Sequence, residues 1–218
     1  MKKLFLKDLR NTSALYQDLF MAGTHTTSST IEWAMTQLLH KPETRVKAGS
    51  EVEEVLGKGT RVQESDTAKL PYLQAVVKET FRLHPPVPLI IREEAGMNSE
   101  ICGYTVLKSV QVLVNVWAIG RDPTTWSDPN KFAPERFLGS EIDVKGQDFE
   151  LIPFGARRRI CLGLPLAHRM VHLMLASLLH SFDWKLQGDM KPEEMDISQK
   201  FGVSLQKAQP LLAIPIKV

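Results

Sequence analysis

Cys161 is the residue of this chain best equipped for chemistry. It follows Phe154 Gly155 Ala156 Arg157 Arg158 Arg159 Ile160 and precedes Leu162 Gly163 Leu164 Pro165, where a helix begins. Three guanidinium groups and a helix N-terminus favour the thiolate over the thiol. A thiolate is a soft, electron-donating ligand suited to iron, and the guanidinium fork matches carboxylate geometry. The residues alone leave a second reading open, a buried inert cysteine beside a solvated basic run. A third is a zinc site, because His168 and His172 follow four apart on one helical face. No second cysteine pair and no His-Glu-x-x-His pattern accompanies them, and His172 interleaves with core residues, which weighs against zinc.

Two further groupings could do work. Glu79 and Arg82 stand three apart on a helix, so they share a face close to its apolar one. Spacing alone reads either as a buried ion pair or as an exposed helix pair worth a few tenths of a kcal/mol. The stretch Ala22 Gly23 Thr24 His25 Thr26 Thr27 puts glycine and poor helix formers inside an otherwise good helix. It reads as a loosened turn that lets a ligand approach, or as small residues at a close helix crossing. Six scattered histidines show no Ser/His/Asp order and carry no hydrolase signal.

The elements that must position these groups are mainly helical. Leu15, Leu19, Met21, Ala22, Ile31, Ala34, Leu38 and Leu39 recur at helical spacing. Pro42 opens a second helix with a stripe of Val46, Val52, Val55 and Leu56, stopped by Gly57 and Gly59. Pro71 opens a third, with Leu73, Val76, Val77 and Phe81 on its buried face, and His84 Pro85 Pro86 ends it. Short strands are predicted over 89–91, 101–106 and 111–115, and a last helix over 165–180 with Leu166, Met170, Leu173, Met174 and Leu178 inside. Strand candidates and turns alternate from Trp184 onward.

Composition sets the outer limits. The 218 residues are 43% apolar and 24% charged, which excludes disordered, collagen-like and disulfide-dense classes. A net charge of +2 makes no electrostatic claim on nucleic acid. Two cysteines, Cys102 and Cys161, read as free thiols. The basic start, Met1 Lys2 Lys3 Leu4 Phe5 Leu6 Lys7, is too short for a signal h-region, and no apolar run approaches the roughly 18 residues of a membrane span. Residues 1–14 read as a poorly defined N-terminal segment and 15–218 as one domain part.

Together these residues resemble the C-terminal half of a cytochrome P-450, a haem-thiolate monooxygenase. Glu79-x-x-Arg82, Pro134 Glu135 Arg136 Phe137, the cysteine loop and Ala22-Gly23-x-x-Thr26-Thr27 occur in that family's order. The wording of 69–80 and of 114–123 is similar to the plant group containing geraniol 8-hydroxylase. The resemblance implies a mainly α fold with small sheets, the haem-binding half of the family's domain. It implies haem b (iron protoporphyrin IX) with Cys161 as the axial ligand to iron and Arg159 on a propionate. It makes Thr26, with His25 beside it, the group that hydrogen-bonds dioxygen and delivers protons. Glu79, Arg82 and Arg136 become a buried charge cluster that locks the core.

The partners implied are NADPH-cytochrome P-450 reductase, docking on the basic face near Cys161, and a small lipophilic substrate such as a monoterpenoid. The location implied is the endoplasmic reticulum membrane, cytosolic face, although the family's N-terminal half and anchor are expected to be missing here. That absence favours a truncated form of doubtful activity, with exposed apolar helix faces. The alternative is a non-catalytic remnant, or a module that binds haem or reductase without turnover. Four positions depart from the family pattern. His25 replaces an acid, and an imidazole can still relay protons near neutral pH. Arg157 replaces a glycine, at a cost of roughly 1–2 kcal/mol if the backbone there is left-handed. Leu107 Lys108 Ser109 replaces Pro-Lys-Gly. Arg92 Glu93 Glu94 Ala95 replaces Pro-Arg-Lys-Ala, which shifts the strand arginine by one residue and is expected to turn Arg92 away from the haem.

Overall fold

The computed structural model describes residues 2–93 and 97–217, with side chains from residue 15 onward apart from that of Glu93. Glu94 and Ala95 of the departing strand motif lie outside the described residues. Four helices make the frame: α1 (Lys2–His40), α2 (Pro42–Leu56), α3 (Pro71–Leu83) and, much later, α5 (Leu164–Ser181). Proline stands in the first turn of α2, α3 and α5, where its missing N–H costs nothing. The Glu51 carboxylate of α2 accepts from the Tyr72 and Leu73 amides at 2.7 and 2.9 Å, so one helix caps the next. Gly57, at φ 73, ends α2.

The core lies where the C-terminal part of α1 meets α2, α3 and α5. Ile31, Ala34, Leu38, Leu73, Val76, Val77, Phe81, Val171 and Leu175 are buried there. The face expected for α3 is the buried one. For α5 and α2 the structure differs. Leu166, Met170 and Met174 are exposed, and Val171, His172, Leu175 and Ala176 are buried instead. On α2, Val46 and Val55 face solvent while Thr44, Ala48 and Val52 pack inward. Helix α5 carries apolar residues on two adjoining faces, Leu166, Met170 and Met174 on one and Val171 and Leu175 on the other, so periodicity could not choose the inward one. Met170 and Met174 line an open groove of about 540 Å³ against Ile31 and Met35 of α1. Leu15, Tyr16, Leu19, Phe20 and Met21 are also exposed along α1.

Helix α1 runs unbroken through 22–27, so of the two readings left open there the loosened turn is the one the structure does not show. Thr26 Oγ1 donates to the Ala22 carbonyl at 2.7 Å, Ser28 Oγ to Thr24 at 2.9 Å and Thr30 Oγ1 to Thr26 at 2.9 Å. These hydroxyls bond back to the carbonyls one turn earlier, and the backbone ladder stays intact beside them.

All sheets among the described residues are antiparallel pairs. β1 (Leu89–Glu93) pairs with β4 (Gln111–Asn115), and this pair encloses the β2 (Ser99–Ile101)–β3 (Tyr104–Val106) hairpin. The single strand expected over 101–106 is split by a tight turn at Cys102 and Gly103, both at positive φ. The short helix α4 (Val116–Ile119) follows β4. After α5 come β5 (Phe182–Leu186), the β6 (Gln199–Lys200)–β7 (Gln206–Lys207) hairpin, and β8 (Ala213–Lys217), which pairs with β5.

Candidate functional site

The cysteine loop is a closed turn ahead of α5. The Cys161 amide donates to the Phe154 carbonyl at 2.9 Å, and Ile160 N to Arg157 at 3.1 Å. Phe154 meets Phe81 of α3 edge-on, ring centroids 5.1 Å apart, which ties the loop to the core. Gly155 has φ 73, and a Cβ there would stand 2.8 Å from Arg92 Nη2. Arg157 has φ 56, so this arginine does hold the left-handed conformation that suits glycine. Its guanidinium lies over the Phe149 ring, 5.6 Å from the centroid. Ser109, in the altered 107–109 turn, likewise has φ 65.

Cys161 is exposed into a cavity of about 550 Å³. Met21, Ala22, His25 and Thr26 of α1 form one wall, and Pro86 and Val87 form a second. Ile90 and Arg92 of β1, Phe154 and Arg159 of the cysteine loop, and Val203 and Ser204 beyond β6 complete it. The inert-buried reading of Cys161 therefore fails, because its environment is an open, largely apolar cavity. Zinc fails too: among the described residues no group of three His, Cys, Asp or Glu side chains is placed to hold a metal ion. His168 and His172 stack with centroids 4.1 Å apart, and His172 Nδ1 donates to the His168 carbonyl at 2.6 Å. Burial pushes His172 down to about 4.

The structure brings Cys161, Arg159, Thr26 and His25 together around this cavity. It adds Arg92, which was expected to face away. On β1 the cavity side is the even-numbered one, with Leu89 and Ile91 exposed on the other, so position 92 points inward. Arg92 Nη2 donates to the Arg159 carbonyl at 3.3 Å. Leu89, Ile90 and Ile91 are all apolar, so no alternation in the sequence set the face of Arg92.

Glu79, Arg82 and Arg136 cluster on the other side of α3. Arg82 grips Glu79 through Nε at 2.7 Å and Nη2 at 2.8 Å, and both side chains have 0% exposure. Glu79 also accepts from Ala133 N at 2.7 Å and Arg136 Nε at 3.1 Å. Arg82 donates further to the carbonyls of Gly120, Pro129 and Lys131. The pair is buried, and the exposed-pair reading is excluded.

One pin was not foreseen. His84, at the end of α3, stacks on Trp33 with centroids 3.8 Å apart. Trp117 Nε1 donates to Gln199 Oε1 at 2.9 Å, leaving Gln199 Nε2 to donate to His84 Nδ1 at 2.7 Å. The ring proton then sits on Nε2, which faces Gln37 Nε2 at 2.9 Å, so the Gln37 carboxamide must be turned to present its oxygen there. Burial, then Arg121 and Lys207, hold His84 well below its ordinary value and keep it neutral. This pin fixes the Pro86–Val87 wall against α1 and β6.

The cytochrome P450 family model matches residues 6–213. The chain belongs to the cytochrome P450 family. It is 60% identical over 197 residues to geraniol 8-hydroxylase of Swertia mussotii, covering 90% of this chain and 40% of that protein. It is 54% identical to drimenol monooxygenase of Persicaria hydropiper, covering 97% and 42%. A zebra fish cytochrome P450 solved with progesterone superposes with a TM-score of 0.79 at 34% identity, covering 91% of this chain and 44% of that one. The chain thus spans about 40% of the length of the curated relatives it matches. The fold is that part of the P450 fold, mainly helical with small sheets. The cofactor of the family is haem, and the donors present fit it: a thiol for iron, two guanidinium groups for carboxylates, and apolar walls for a macrocycle. Among the described residues no helix is long and apolar enough to cross a membrane.

Proposed function

We propose that this chain is the haem-binding part of a monooxygenase that hydroxylates a small lipophilic molecule, a monoterpenoid alcohol first among candidates. The observation that carries it is Cys161 open to a largely apolar cavity whose other polar side chains are two arginines, a threonine, a serine and a histidine. The names of the geraniol and drimenol relatives support the substrate class. In this reading Cys161 would hold the iron of haem b through its sulfur, and Arg159 and Arg92 would hold the two carboxylates. Bound there, haem supplies the activation of dioxygen. Thr26 offers a hydroxyl to the cavity once it leaves the Ala22 carbonyl, and His25 next to it supplies protons. Met21, Ala22, Val87 and Val203 exclude water and orient an apolar substrate. The buried Glu79 cluster holds the loop after α4 against α3 and acts as a positioning group.

Electrons come from NADPH-cytochrome P-450 reductase, whose docking face is the exposed Arg157–Arg159 turn beside Cys161. The same reading puts the protein on the cytosolic face of the endoplasmic reticulum membrane. The exposed apolar side chains of α1 and the Met170–Met174 groove are then the seat of the rest of the family's domain. The test completes the chain with the N-terminal part of the Swertia enzyme and supplies reductase, NADPH and geraniol. Oxygen-dependent hydroxylated product that vanishes with Cys161→Ala is expected. No oxidised product across a panel of small terpenoid alcohols overturns the proposal.

A further inference from the structure

Two walls of the cysteine cavity come from segments far apart in the chain, Pro86–Val87 after α3 and Val203–Ser204 in the turn between β6 and β7. Val203 is 96% exposed, so its own packing does not hold it in place. The β6–β7 ladder pairs only two residues on each side, too few to fix the turn. The position of this wall must be set from behind.

Two ties do this. Leu205, with no exposure, donates from its amide to the Pro86 carbonyl at 2.8 Å, and its carbonyl accepts from Ser29 Oγ of α1 at 2.9 Å. One residue thus joins both walls to the helix that carries His25 and Thr26. The second tie is the side-chain pin at His84. An indole N–H can only donate, so the chain runs one way: Trp117 to Gln199, Gln199 to His84 Nδ1, and His84 Nε2 to the Gln37 oxygen. Gln199 belongs to β6, and the Trp117 ring also meets Phe201, two residues further on, edge-on at 5.7 Å between centroids. The Trp117 amide in turn donates to the Pro88 carbonyl at 3.3 Å, beyond Val87.

We propose that Gln199 and His84 are positioning residues for the substrate: they hold Val203 and Val87 at a fixed separation and so select the shape of lipophilic molecule the cavity accepts. Neither side chain lines the cavity, and both act through the backbone of 86–87 and 201–205. Directional hydrogen bonds suit this role, because a short turn held by apolar contact alone can slide. Removing Gln199 breaks the chain at its middle and frees the turn from α3, while Leu205 still tethers it to α1. The walls then part, and the cavity admits broader molecules. The inference rests on the monooxygenase reading above.

The test compares Gln199→Ala with Gln199→Glu. The carboxylate can still accept from Trp117 and offers its second oxygen to His84 Nδ1, which must then carry a proton, so the tie is kept. In the full chain, Gln199→Ala should speed hydrogen exchange of the Leu205 amide about tenfold and leave the Val76 amide of the core unchanged. With ¹⁵N-labelled histidine rings, His84 Nδ1 should be bare in the parent and proton-bearing in Gln199→Glu. The chain completed with the Swertia N-terminal part, loaded with haem and given reductase and NADPH, reads selectivity. There Gln199→Ala should move the ratio of kcat/KM for geraniol over the bulkier drimenol at least about threefold toward drimenol. That ratio is independent of how much enzyme is folded, and Gln199→Glu should restore it. A Leu205 amide that ignores Gln199, protection lost equally at Val76, an unmoved ratio, or no restoration by Gln199→Glu overturns the inference. If the completed parent lacks a Cys161-dependent haem spectrum, the monooxygenase reading fails instead, and exchange and the ring proton still decide whether Gln199 holds the wall.

Discussion

Replacing Glu79 by alanine should be among the most damaging changes in the chain. Its carboxylate has 0% exposure and accepts four hydrogen bonds, two from Arg82 and one each from Ala133 N and Arg136. Removal leaves the Arg82 guanidinium buried with carbonyl oxygens as its remaining partners, a loss of roughly 3–5 kcal/mol. Arg82→Ala should cost somewhat less, because Glu79 keeps Ala133 and Arg136. It also strips the donor from the carbonyls of Gly120, Pro129 and Lys131. Arg136, with 13% of its side chain exposed, should cost only about 1–2 kcal/mol when cut to alanine. Urea unfolding followed by tryptophan fluorescence measures all three. Trp126 is a local reporter, with the Arg82 guanidinium 5.3 Å from its ring centroid. A Glu79–Arg82 double-mutant cycle should show coupling of about 2 kcal/mol or more. Additive effects below about 0.5 kcal/mol would refute the reasoning, because an exposed pair behaves that way.

Gly120→Ala should unfold the same region, because its Cβ would collide with the Arg82 carbonyl, and a lowered urea midpoint reports it. Arg157→Gly releases a non-glycine residue from φ 56 and should stabilise the cysteine loop by about 1 kcal/mol, less the lost Phe149 contact. Slower proteolysis within 150–160 checks it. His172 is held neutral with its value near 4, against about 6.5 when unfolded. Above pH 6.5 it adds no pH dependence. Below that the unfolded chain takes up the proton first, and stability falls by roughly 3 kcal/mol on the way to pH 4. His172→Phe should flatten that part of the stability–pH curve.

Punctuation and side-chain chemistry were legible in the sequence, and facing was not. Pro42, Pro71 and Pro165 mark helix starts because proline costs nothing in a first turn, and the structure starts helices there. The loop around Cys161 was legible because its residue types are rarely combined. The inward face of α5 was not, since Val171 and Leu175 compete with Met170 and Met174 on adjoining apolar faces. Arg92 was misjudged by assuming a strand register that only the Ile90 side of β1 could settle. Gln199 lies 115 residues from His84, and no local pattern joins them.

The reduced, carbon monoxide-bound absorption spectrum tests the central claim most directly, taken on the chain completed with the Swertia N-terminal part. A thiolate from Cys161 requires a strongly red-shifted Soret band, lost in Cys161→Ala and retained in Cys102→Ala, whose cysteine sits in the β2–β3 turn away from the cavity. A red-shifted band that survives Cys161→Ala, or haem bound without that band in the parent, would contradict the account.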